Sequence, residues 1–219
     1  AVDLLAKALA WVERHAEAIL TARDIRGKAY VSALARGGGR DDAARAARRV
    51  LRRAALASPS GDLILGAFDV KHLIAHLAEA CFVVIAGFVG MRVSEILSIR
   101  AGAIEQRPMG ETGLSQAYLV ARLYKTVDEP GGRIERWLAP EPVVRAIAVL
   151  ERLSAPLREA SGRDELFLVK NTQYGEIVPV TEMLMPSPPA LATSSMSVPA
   201  VKPSVVAVGQ LSSHAASVH

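Results

Sequence analysis

The sequence predicts a mainly helical protein with one small antiparallel β-sheet, and three observations carry that reading. The 219-residue chain is 51% hydrophobic but only 5% aromatic, with Ala, Leu and Val abundant, which suits a helical core better than a β-sandwich. Most apolar residues as far as Leu153 recur at helical spacing. Two runs instead alternate, 117–125 (AYLVARLYK) and 133–138 (RIERWL), and the turn chemistry of Asp128-Glu129-Pro130-Gly131-Gly132 lies between them.

Taken in order, residues 2–20 carry Leu4, Leu5, Ala8, Leu9, Val12, Ala16 and Ile19 at helical spacing, with Glu13, Arg14 and Glu17 elsewhere on the wheel. A second helix is expected from Thr21 to Leu34, ended by Gly37-Gly38-Gly39. That glycine run follows no strand and precedes no Gly-Lys-Ser/Thr, so it reads as a linker and not a phosphate loop.

Asp41-Asp42 opens a third helix, with acids at its positive end. Arg45, Arg48, Arg49, Arg52 and Arg53 follow at i, i+3, i+4, i+7 and i+8, which places five guanidinium groups on one face. Such a row fits either a solvated face or a phosphate backbone. Its single sign, with no interleaved acid, favours phosphate. Ser58-Pro59-Ser60-Gly61-Asp62 is a loop and a candidate boundary.

A helix is expected from about Asp69 to Val89. It carries His72 and His76 at i, i+4 near Glu79, but Leu73 stands where the zinc-protease pattern needs Glu, so the pair reads as helix surface and no metal is expected. After Gly90, Val93, Ile96 and Leu97 form the apolar stripe of a short helix. Arg92 would lie in its first turn, beside amides without intrahelical partners. There it either clamps a phosphate with those amides or pairs with Glu95 three residues on.

Residues 106–113 read as a polar loop, and 117–125 with 133–138 as a β-hairpin, which puts Lys125 and Thr126 where the first strand meets the turn. Ala139-Pro140-Glu141-Pro142 starts another helix, with proline in the first turn and Val143, Ala146, Ile147, Leu150 and Leu153 buried. Residues 165–169 (ELFLV) read as a short buried strand or extended segment, and 174–185 as folded protein.

The motif G-M-R-V-S-E-I-L, residues 90–97, resembles the first-arginine box of the tyrosine recombinases, the phage integrase family: an apolar helix, then Gly-x-Arg-x-x-Glu-x-Leu. The resemblance implies Arg92 as the first catalytic arginine and Glu95 as the acid that holds the box in place. Members of that family follow this box with a small antiparallel sheet, and a hairpin lysine there approaches the scissile phosphate or the leaving 5′-hydroxyl; Lys125 is the match. On its residues alone, Lys125 reads as a charge that blunts a sheet edge. The resemblance also implies double-stranded DNA as partner and leaves room for a homo-oligomer on DNA. Neither a cofactor nor a membrane partner is expected.

The resemblance spans about residues 65–185, the first half of a recombinase catalytic domain. His-x-x-Arg, a further His or Trp, and the late nucleophilic Tyr are not found: Ser217 stands three residues after His214, and no Tyr follows Tyr174. In that family the tyrosine oxygen attacks a DNA phosphodiester while two arginines stabilise the pentacoordinate phosphate. The expected organisation is an N-terminal helical region over 1–57, either a core-binding remnant or helices packed on the catalytic half. A partial, truncated integrase-like catalytic domain follows over 63–185, and then a tail over 186–219. The tail holds five prolines and a single charge, Lys202, and reads as disordered or out of frame.

Net charge +4 with pI near 9.5 permits a polyanionic partner without demanding one. Cys81, the single cysteine, excludes an internal disulfide and reads as a buried inert thiol. The 81–89 run is shorter than the roughly 20 residues a membrane span needs. With no signal pattern at the start, the expected location is the cytoplasm.

Overall fold

A computed structural model of the chain describes residues 2–54, 70–108, 114–123, 132–170 and 175–180. Mainly helical structure with a small antiparallel sheet is what these residues form. Lys125, Thr126, Tyr174, the 58–62 loop and the 186–219 tail lie outside the described residues.

The first two expected helices are one continuous helical rod. Helix α1 (Val2–Ala10) runs through a π-helical turn, Trp11–His15, into α2 (Ala16–Ala35). The break expected at Leu20–Thr21 is absent because no residue there interrupts a helix. Ala8, Val12, Ala16 and Ile19 are buried as the spacing predicts, whereas Leu4 points outward. The glycine run ends the rod: the amide of Gly38 donates to the Ala33 carbonyl (3.2 Å) and that of Gly37 to Leu34 (2.9 Å). This is a Schellman closure, and it needs the left-handed φ of +83° that Gly37 supplies.

Helix α3 (Arg40–Ala54) turns back onto α2 and buries Ala43, Ala47 and Leu51. Helix α4 (Val70–Val89) is the centre of the fold. It packs on α1, α2 and the later α6 (Glu141–Ser161), burying Leu73, Leu77, Cys81, Val84 and Ile85. Gly87 lets α1 approach closely, since a Cβ there would stand 3.0 Å from a methyl of Leu5. At 20 residues, α4 is long and apolar enough to cross a membrane by length and composition alone, a test that the core helix of a soluble protein also passes. Burial raises the Cys81 thiol to a pKa of about 12, in keeping with an inert thiol.

Gly90, with φ +71°, turns the chain into the single helical turn α5 (Val93–Leu97), which buries Glu95, Ile96 and Leu97 but leaves Val93 exposed. Strand β1 (Ile104–Pro108) occupies part of the expected polar loop. It pairs antiparallel with β2 (Ser115–Leu123), which pairs antiparallel with β3 (Arg133–Leu138) in register Tyr118↔Leu138 to Leu123↔Arg133. Ala117, Leu119 and Ala121 face the core, while Ile134, Arg136 and Leu138 share the exposed face.

Helix α6 begins after Pro140 and ends at Gly162. Beyond it, Leu166, Phe167 and Leu168 are buried, and β4 (Leu168–Lys170) pairs with β5 (Ile177–Pro179). The N-terminal helices, α4, α6 and the inner sheet face all contribute to one hydrophobic core.

Candidate nucleic-acid interface

Two basic features emerge from this frame. The first is α3. Its apolar seam, Ala43, Ala47 and Leu51 at i, i+4 and i+8, is sealed against α2, so the opposite face must carry the arginines. Arg45, Arg48, Arg49, Arg52 and Arg53 are all exposed there, as the spacing predicts.

The row is less uniform than its sequence suggests. Asp42 lies on the same face and accepts a hydrogen bond from Arg45 Nη2 at 2.6 Å. Arg45 is the main reason the Asp42 carboxyl sits below its ordinary pKa, with weaker help from the Gly39 amide and Arg49. Asp42 therefore flanks the row at its N-terminal end and pairs with its first arginine, while no acid interrupts Arg45 to Arg53. Among the described residues, Arg48, Arg49, Arg52 and Arg53 form no ion pair within 4.0 Å.

The second feature is Arg92. It does not lie in the first turn of a helix beginning at Gly90; it is the N-cap of α5, with extended backbone (φ −72°, ψ 152°). Three of the neighbouring amides are taken. The Arg92 N–H donates to Glu95 Oε2 at 2.9 Å, and the amides of Glu95 and Ile96 both donate to the Arg92 carbonyl at 3.0 Å. The Arg92, Glu95 and Ile96 amides are therefore not free to meet a phosphate.

That guanidinium is held from the inside. Glu95 is buried, and its Oε1 has no hydrogen-bond partner, but Arg92 Nη1 lies 3.6 Å away. Half of the Arg92 side chain remains exposed. A buried carboxylate thus fixes one edge of the guanidinium and leaves its other donors outward, a geometry suited to a bidentate phosphate contact. The pairing expected from spacing and the supporting role assigned to Glu95 are both compatible with it.

Nothing described brings Arg92 and the α3 row into contact. His72 and His76 are exposed on α4, with His76 Nδ1 3.1 Å from Glu79 and its ring 6.0 Å from that of Trp11. Among the described residues, no group of three or more His, Cys, Asp or Glu is placed to hold a metal ion.

Sequence reasoning missed the outer face of the sheet. The register puts Arg107, Arg122 and Arg136 there together with Glu105. Glu105 takes hydrogen bonds from Arg136 (3.0 Å) and Arg107 (3.2 Å), chiefly the former, which hold its carboxyl below the usual range. A shallow cleft of about 250 Å³ opens beside it, lined by Ser98, Arg100, Gly102, Glu105 and Arg122. Strand β1 carries no apolar alternation, because its side chains after Ile104 are polar and it ends at Pro108. Comparison with known proteins gives no matching family model, no matching curated protein and no matching solved structure.

Proposed function

We propose that this chain is a DNA-binding protein of the site-specific recombinase type, working in the cytoplasm, whose 219 residues bind duplex DNA without cutting it. The observation that carries the reading is the row of exposed arginines on α3, set opposite a buried apolar seam. Guanidinium groups on one face meet successive phosphates, and each pairing releases a counterion. The recombinase type comes from the resemblance of residues 90–97 to the first-arginine box. A buried Glu95 behind a half-exposed Arg92 supports it. Lys125, matched by the same resemblance, would join Arg92 at the phosphate.

Strand cleavage needs a nucleophile, and these residues contain neither His-x-x-Arg nor a tyrosine after Tyr174. A second reading, a non-catalytic helical DNA-binding module unrelated to recombinases, draws on the fact that the α3 row does not touch the 90–97 box and could bind alone.

The test is duplex DNA binding by the whole chain across a salt series. Replacing Arg48, Arg49 and Arg52 with Ala together is expected to flatten the slope of log K against log salt by about 2–3, since each neutralised phosphate contributes roughly 0.9. An unchanged slope would make the row ordinary surface and remove the reading. Suicide DNA substrates are expected to yield no covalent adduct. An adduct abolished by Tyr174→Phe would restore catalysis and overturn the non-cutting part of the proposal.

A further inference from the structure

We infer that Asp42 masks Arg45, so that the α3 row engages DNA through Arg48, Arg49, Arg52 and Arg53 only and its N-terminal end is switched off. The inference rests on the DNA-binding reading above and assigns its polarity along the helix. Arg45 is bound to Asp42 at 2.6 Å on the exposed face, and the pair together carries no net charge. Asp41 is also exposed in the same first turn. From Arg48 onward the face is uniformly positive, with no acid before the end of the helix at Ala54. A phosphate approaching the first turn meets carboxylates; one approaching the last two turns meets only guanidinium groups. The strand therefore runs over the C-terminal half of α3.

Asp42 is held in this masking position by the helix itself. It is the third helical residue after Gly39, whose carbonyl accepts the Ala43 amide (2.9 Å). That is the position at which a capping box carries its acid, one turn below Arg45. Releasing Arg45 therefore requires neutralising Asp42 without removing its capping oxygen, as Asp42→Asn does. Anionic lipid is the less fitting partner, because the apolar seam of α3 is already buried against α2 and Val50 is the single large apolar side chain of the helix left exposed.

The experiment is a cycle of the whole chain, Asp42→Asn, Arg45→Ala and the double variant, each titrated with duplex DNA over about 50–200 mM salt. One neutralised phosphate is worth about 0.9 in slope, or about threefold in affinity over that range. Arg45→Ala alone is expected to leave the slope unchanged. Asp42→Asn is expected to steepen it by about one phosphate's worth, and the double variant to lack that gain. If Asp42→Asn raises affinity equally with and without Arg45, the acid acts only by general repulsion and masking is overturned. Masking is equally overturned if Arg45→Ala in the unaltered background flattens the slope. If the triple Arg48, Arg49, Arg52 replacement has no effect, it is the DNA reading itself that fails. Tighter binding to phosphatidylserine vesicles than to DNA would also overturn the assignment.

Discussion

Arg23 donates from Nη1 to the carbonyl oxygen of Arg152 at 2.6 Å, and Arg152 is the residue whose carbonyl Pro156 cannot serve. Proline inside α6 has no N–H for the carbonyl four residues back, and its ring pushes that carbonyl aside. A guanidinium from α2 fills the gap and also reaches the Leu153 carbonyl at 3.1 Å. The break in α6 thereby becomes an anchor point for α2.

Arg23→Met keeps the aliphatic stem but removes these donors, and is expected to cost about 1–3 kcal/mol in chemical denaturation. In a Pro156→Ala background, residue 156 can donate to the Arg152 carbonyl itself, so the same replacement should cost clearly less. Equal costs in the two backgrounds would show that Arg23 acts by packing and not by serving the freed carbonyl.

Glu95 serves α5 through one carboxylate oxygen and Arg92 through the other. Glu95→Ala is expected to lose about 2 kcal/mol, since it removes an N-terminal cap acceptor and leaves the Arg92 amide without a partner. Glu95→Gln keeps an acceptor and should lose less than half as much. Matching melting transitions for the two variants would remove capping as the reason this acid is buried.

Arg152 also grips Glu17 with both guanidinium nitrogens, and this hydrogen bond is the main cause that holds the Glu17 carboxyl below its ordinary value of 4.5. A folded-state pKa below the unfolded one gives stability that is present above about pH 4.5 and is lost as pH falls through the folded value. Glu17→Gln should therefore differ from the parent chain at neutral pH and converge with it in acid. With the Glu17 side chain 70% exposed, the difference should be small and shrink in high salt. A gap between the two chains that widens in acid would contradict the pairing.

The parts of this fold written in periodicity were legible in the sequence. The apolar spacing of α4 and α6 and the alternation of β2 and β3 report local geometry, and a single chain carries that information in full. Strand β1 was not legible, because an edge strand with Glu105, Arg107 and a terminal Pro108 reads like a loop until its partner is known. The Arg45–Arg53 face followed from spacing, but the masking acid did not, because a count of like charges starts after the first turn. Arg23 was invisible for a different reason: its partner carbonyl is 129 residues away. At Arg92 the sequence supplied the pair with Glu95 but misplaced the helix start by two residues, which made the N-cap residue look like a first-turn one.

The π-helical turn Trp11–His15 works as a phase setter. A helix advances about 100° per residue, so a turn that closes over one more residue offsets everything after it by about that angle. Helix α2 presents Ile19, Leu20 and Ala22 inward, on the side where Ala8, Val12 and Ala16 are buried. Helix α3 rides on α2, so the direction of its arginines is inherited from the residue count between Ala10 and Ala16. A one-residue deletion in that interval would leave every arginine in place along the chain and turn the whole row to another compass bearing.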